Sequence, residues 1–177
     1  MTVWIALLRA VNVGGHNILP MADLRESLAA AGLAGIKTYV QSGNLVFRSD
    51  RPRHELGPMI ADTIHAKFGF RPPVLILSMD EMDRARDGHT FAKAVAEPTT
   101  LHVFFMERPL PDATGAFLKS LAVPGEDYAF RGKLLWLYLP HGAGRSKLAQ
   151  RVAALPLDIT ARNLRTVTAL IELAAKV

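Results

Sequence analysis

The same order of hydrophobic periods occurs twice along this chain. Each time a short apolar run is followed by a four-residue repeat, two short runs around a turn, a second helix-like segment and a last short run. In the first half residues 5–8 are continuously apolar, Leu24 and Leu28 stand one helical turn apart ahead of Gly32, and residues 36–40 and 45–47 flank Ser42-Gly43-Asn44. Leu56, Ile60, Ile64 and Phe68 then repeat every four residues up to Gly69, and Val74-Leu75-Ile76-Leu77 follows Pro72-Pro73. A period near 3.6 marks a helix and short β-branched or continuously apolar runs mark strands. The order is therefore strand, helix, strand, strand, helix, strand, which is the ferredoxin-like βαββαβ pattern.

The second half repeats that order. Residues 101–106 read as a strand, and 113–121 as a helix with Phe117 and Leu121 on one side. Residues 128–131 and 134–139 pair as a hairpin across Gly132-Lys133. Residues 146–155 read as a helix stopped by Pro156, residues 157–160 as a last short strand, and residues 164–176 as a closing helix with Asn163 as its N-cap. Ser78 and Glu81 have the spacing of a capping box, which predicts a short helix over residues 79–86. The expected fold is α+β: two ferredoxin-like (βαββαβ) units with a C-terminal helix, spanning residues 1–78 and 99–177 and joined by a helical connector over 79–98.

Composition narrows the function classes. There is no cysteine, so no disulfide, thiolate nucleophile or cysteine zinc site is available. The N-terminal apolar run is cut by Arg9 before it reaches signal-peptide length, and no apolar run approaches the roughly 18 residues that span a bilayer. A cytoplasmic protein without a membrane partner is expected. The formal net charge of +5 favours anionic partners, although the basic residues are scattered as on an ordinary solvated surface.

Polar candidates collect at the predicted turns. Arg9, Asn12, Gly14 and Gly15 follow the first strand, where glycine amides beside a cation can approach an anion, or where the glycines only serve a turn with positive φ. Ser42 and Asn44 would sit at a hairpin tip, either presented to a ligand or required by the turn. Arg145, Ser146 and Lys147 lie between a strand and a helix, a phosphate-loop context without Walker spacing, in which Ser146 equally serves as a cap. Arg162, Asn163 and Thr166 surround the start of the last helix, with Asn163 again a natural cap.

Several constellations are missing. The six histidines show no metal-ligand spacing, no Gly-x-Ser-x-Gly elbow occurs, and Ser146 beside Lys147 is not a Ser-x-x-Lys pair. The sequence points to no catalytic group, no metal and no cofactor. Trp136 with Tyr138, and Tyr128 with Phe130, share strand faces that could stack bases or dock a partner, or could simply pack in the interior.

Five stretches taken together resemble the bacterial domain-of-unknown-function family DUF 1697. They are Leu7-Leu8-Arg9-Ala10-Val11-Asn12-Val13-Gly14-Gly15, Met21-Ala22-Asp23-Leu24-Arg25, Thr38-Tyr39-Val40-Gln41-Ser42-Gly43-Asn44-Leu45-Val46-Phe47, Ser146-Lys147-Leu148 and Thr160-Ala161-Arg162-Asn163-Leu164-Arg165-Thr166-Val167. The resemblance implies glycine at the position of Ala10, lysine at His16 and tryptophan at Leu164, so no role for a lysine or an aromatic ring at the two latter positions carries over. It implies no activity, but motifs that fall on polar loops favour a shared ligand site. The leading expectation is a protein that binds an anionic small molecule or nucleic acid. The rivals are an enzyme acting on a phosphorylated or nucleotide-like substrate and a partner-binding module using the aromatic sheet face. Oligomeric state is not legible.

Overall fold

The computed structural model describes residues 1–112, 114–155 and 158–177. In order, the elements are β1 (Thr2–Leu8), α1 (Met21–Ala30), β2 (Ala34–Tyr39), β3 (Asn44–Ser49), α2 (Arg53–Phe68), β4 (Val74–Leu77), α3 (Met79–Asp87), α4 (Lys93–Ala96), β5 (Leu101–Met106), α5 (Thr114–Leu121), β6 (Asp127–Arg131), β7 (Leu134–Tyr138), α6 (Lys147–Ala153), β8 (Ile159–Asn163) and α7 (Leu164–Ala174). Two four-stranded antiparallel sheets result, ordered β2-β3-β1-β4 and β6-β7-β5-β8. Both are the ferredoxin-like order, so the α+β expectation holds. The chain groups into two compact units, Met1–Asp83 with Thr168–Val177, and Arg84–Val167.

In the first unit the apolar spacing read from the sequence is the packing. Leu24 and Leu28 of α1 and Leu56, Ile60 and Ile64 of α2 are buried against Ala6, Leu8, Leu45 and Phe47 of the sheet. Burying each such leucine or isoleucine contributes about 1.5–3 kcal/mol. β1 lies between β3 and β4 and alternates its hydrogen bonds between them: the Leu8 N–H donates to Gly43 O at 2.8 Å and the Arg9 N–H to Pro73 O at 3.0 Å. The capping box forms with both bonds, Ser78 N–H to Glu81 Oε2 at 2.9 Å and Glu81 N–H to Ser78 Oγ at 3.3 Å.

In the second unit Leu118, Leu135, Leu137, Leu148 and Val152 make the core beneath α5 and α6. One strand departs from expectation. β8 runs from Ile159 to Asn163 and pairs Val103 with Arg162 and His102 with Asn163. Thr160 lies in the strand as expected, but Arg162 and Asn163 also belong to that strand and not to a turn, because the backbone of β5 needs a partner along its whole length whatever side chains that partner carries. The expected helix start at Ala113, the stop at Pro156 and the strand start at Leu157 lie outside the described residues.

The aromatic faces are partly covered. Tyr128 and Phe130 pack under the helices, and the Tyr128 hydroxyl donates to Gly115 O at 2.5 Å. On the other face Trp136 is only 1% exposed and its Nε1–H donates to Ala85 O at 2.8 Å. Tyr138 stacks on Phe91 with ring centroids 6.0 Å apart. Trp136 held this way has no open face for a base, whereas Tyr128, Phe130 and Tyr138 are half-buried.

His102 sits half-buried in β5, and burial lowers its pKa below the ordinary 6.5. His89 is lowered by burial as well. Between the folded and unfolded pKa values the unfolded chain binds more protons, so stability is full above the ordinary value and falls as pH drops through it. Thermal melts from pH 8 to pH 5 are expected to show this fall, and His102→Gln should flatten it.

Candidate functional site

Within the first unit the structure brings the loop after β1 and the β2–β3 turn together. Connections from strand to helix in such folds usually take about 2–6 residues, whereas this one runs from Arg9 to Pro20. It is a small hairpin. The Asn12 N–H donates to Asn17 O at 3.1 Å and the His16 N–H to Val13 O at 3.0 Å, with Gly14 and Gly15 at φ +58° and +78°. That is a type I′ turn, which demands two left-handed residues and turns its central amides outward. The glycine pair is thus accounted for by the turn, and it leaves the Gly14 and Gly15 N–H groups exposed, with no protein acceptor among the described residues.

Asn12 braces this hairpin. Its Oδ1 accepts from the Leu19 N–H at 2.7 Å, and its Nδ2 donates to Leu19 O at 3.0 Å and to Gln41 O at 2.7 Å. Asn17 adds a bond from its Nδ2 to Ala10 O at 2.8 Å. Ala10, Asn12, Asn17 and Val40 all have positive φ. Asparagine tolerates that conformation, but alanine and valine do so only at a cost of roughly 1–2 kcal/mol each. Ala10→Gly is therefore expected to stabilise the protein by about 0.5–1 kcal/mol, read as a higher urea midpoint with an unchanged slope.

The site residues named from the sequence fare differently. Asn44 is the first residue of β3 and not a turn residue; it is fully buried, donating to Tyr39 O at 3.1 Å and to Ser42 Oγ at 2.9 Å. It shapes the turn, while Ser42 is exposed on it. Gly43, absent from the sequence-based set, packs its backbone against Leu8 and Val11: a Cβ there would stand 2.6 Å from side-chain carbons of both. Gln41 and Asn17 were also missed. The pattern Asn-x-Gly-Gly-x-Asn, two asparagines flanking a two-glycine hairpin tip, is the signal that could have found Asn17.

In the second unit Asn163 and Thr166 lie at the end of the sheet where β5 starts, and Arg145, Ser146 and Lys147 follow β7 at the start of α6. Leu139 N–H donates to Thr100 O at 2.7 Å and Arg165 N–H to Pro98 O at 3.3 Å, which tie the end of β7 and the start of α7 to the lead-in of β5. Ser146 is a buried N-cap, its Oγ accepting from the Ala149 N–H at 3.1 Å. Asn163 caps α7, its Oδ1 accepting from the Thr166 N–H at 2.9 Å. Arg145 and Lys147 are exposed. Arg162 is part-buried on β8, donates from Nη1 to Ala161 O at 2.7 Å, and has its pKa lowered to about 10 by desolvation.

Charge also separates the two groups. Residues 1–22 and 27–49 contain no aspartate or glutamate, so the charged groups of the hairpin and the β2–β3 turn are Arg9 and, when protonated, His16. The shifted carboxylate and histidines, Asp87, His89 and His102, all belong to the second unit. Among the described residues no cluster of three metal-ligating side chains occurs, and no helix is long and apolar enough to cross a membrane.

The sequence profile of a family described as "Protein of unknown function (DUF1697)" matches residues 1–136. Among solved structures, the conserved bacterial protein SP0830 from Streptococcus pneumoniae is similar with a TM-score of 0.75 at 24% identity, over 98% of each chain. At that identity the likeness shows a shared fold. No curated protein matches the chain.

Proposed function

From the premise that the chain belongs to the DUF1697 family, which brings no activity with it, we propose that it is a cytoplasmic binding protein that takes an anionic ligand at the first unit. The contacts would come from Arg9, the outward amides of Gly14 and Gly15, and the Ser42 hydroxyl. The observation that carries this reading is the Asn12 brace, which ties an overlong, carboxylate-free loop to the Gln41–Asn44 turn. Order of this kind in an exposed loop costs conformational entropy, and such loops are characteristically functional. Val13, Ile18 and Val40 are exposed on the same two segments. A phosphate joined to an apolar or aromatic body, as in a nucleotide or a single strand of nucleic acid, matches both features.

A site whose two segments carry no carboxylate favours binding of an anion. No carboxylate stands in either segment to act as a base. Labelled single-stranded RNA and labelled AMP, titrated at about 50 mM and about 200 mM salt, test the proposal. Binding should weaken with salt, fall about tenfold in Arg9→Gln and persist in Arg145→Ala, with melting temperatures of both variants checked alongside. No binding at the lower salt, or loss in Arg145→Ala alone, would overturn it.

A further inference from the structure

We propose that the open edge of β6 is a self-association surface, on which β6 of a second copy of this chain pairs antiparallel and the two sheets run on into each other. β6 is the end strand in the order β6-β7-β5-β8. Two hydrogen bonds fix the direction of its backbone groups. The Met106 N–H donates to Lys133 O at 2.9 Å and the Leu139 N–H to Thr100 O at 2.7 Å, so the odd-numbered residues of β7 bond to the β5 side. Leu134, Trp136 and Tyr138 therefore bond to their partners Arg131, Ala129 and Asp127 in β6. The N–H and C=O groups of Tyr128 and Phe130 are left pointing away from the sheet. Among the described residues no protein group takes the Phe130 N–H or either carbonyl, and the Tyr128 N–H donates only to Asp127 Oδ1 of its own strand, at 2.8 Å.

Edges of this kind are usually blunted by a lysine, a proline, a bulge or a cover. β2, at the end of the other sheet, carries such a device in the register shift between Ala34 and Lys37. β6 keeps an unbroken register over its 5 residues and contains neither proline nor lysine. Its two charged residues, Asp127 and Arg131, are both exposed. Among the described residues neither forms an ion pair. The Asp127 carboxylate on the Tyr128 N–H is thus a guard that an arriving cation can draw away.

Charge selects the occupant. The order Asp127-Tyr128-Ala129-Phe130-Arg131 is its own complement when reversed. An antiparallel mate centred on Ala129 sets Tyr128 opposite Phe130 of the second copy, and two-fold symmetry repeats the pair, so the outward groups of both copies bond each other. Asp127 then stands directly opposite Arg131 of the second copy, and Arg131 opposite its Asp127. The carboxylate exchanges the Tyr128 N–H for a guanidinium, and the N–H passes to a carbonyl of the mate. Ala129 meets itself on the axis, in a pair without hydrogen bonds whose Cα atoms stand about 4.5 Å apart, where a small side chain fits. Sliding the mate by two residues in either direction sets Ala129 opposite Asp127 or Arg131 and loses the matched charges. The surface lies in the second unit and is independent of the anion-binding reading of the first.

Sedimentation velocity of the full chain from about 5 µM to about 1 mM is expected to show passage from monomer to dimer, the range of a small interface. Asp127→Arg and Arg131→Asp each turn both ion pairs of a homodimer into like-charge contacts, so each should weaken association about tenfold or more. Mixed in equal amounts, the two variants restore opposite charges at both contacts. The mixture should therefore form a heterodimer at about the wild-type affinity, under conditions where each variant alone is monomeric. Amide exchange read by NMR locates the contact: the Phe130 N–H should slow as protein concentration rises, whereas the Ala129 N–H, already bonded to β7, should not. Melting temperatures close to the wild-type value show that the exposed substitutions leave the fold intact. A monomer at every concentration, association that both single variants retain, a mixture no more associated than its components, or a dimer with unchanged exchange at Phe130 would each overturn the proposal.

Discussion

Gly43→Ala is expected to destabilise the protein by about 2–5 kcal/mol. A Cβ at this position would lie 2.6 Å from Leu8 Cβ and 2.6 Å from Val11 Cγ2, and the backbone has φ +75°. Leu8 Cβ is fixed by the main chain of a central strand, so the contact cannot be relieved by rotating a flexible side chain. Two effects therefore add, overpacking and left-handed strain. Gly132→Ala separates them: φ there is +57° with nothing within 4 Å of the added carbon, so it should cost only about 1 kcal/mol. Urea unfolding of both variants checks the difference. Equal losses would mean that the close approach of Gly43 to β1 contributes nothing.

Asn12→Ala is the second large effect, about 2–4 kcal/mol. The truncation removes the acceptor for the Leu19 N–H and the donors to Leu19 O and Gln41 O, and puts alanine at φ +54°. Leu19 is buried, so its backbone groups regain water only if the hairpin opens. Residues 12–19 should then exchange their amides faster while the α2 core stays protected. Asn12→Asp keeps the acceptor and tolerates positive φ but loses both donors, so it should recover only part of the loss. Uniformly faster exchange over the whole first unit would contradict a local brace.

The elements were legible where side-chain spacing alone dictates them. The four-residue repeat of α2, the Ser78–Glu81 capping box and the caps at Ser146 and Asn163 need only local chemistry, and all are present. β8 was misplaced because Arg162 and Asn163 look like loop residues, whereas their identity as strand comes from β5 across the sheet. Asn44 looked like a turn residue because asparagine beside glycine fits one; its burial follows from bonds to Tyr39 and Ser42 that no spacing rule contains. The fate of Trp136 depends on Ala85, remote in sequence, and so was open until the fold was known. The hairpin after β1 was half legible: its glycines marked a turn, but the Asn12 bond to Gln41 that unites it with the second loop is a tertiary contact.

The most direct test of the anion-binding account is an NMR titration of the labelled protein with AMP, and separately with inorganic phosphate, following backbone amides. The account predicts saturable shifts centred on Gly14, Gly15 and Ser42, about tenfold weaker in Arg9→Gln. Saturable shifts confined to the Arg145–Lys147 and Asn163–Thr166 segments, or none that saturate anywhere, would contradict it.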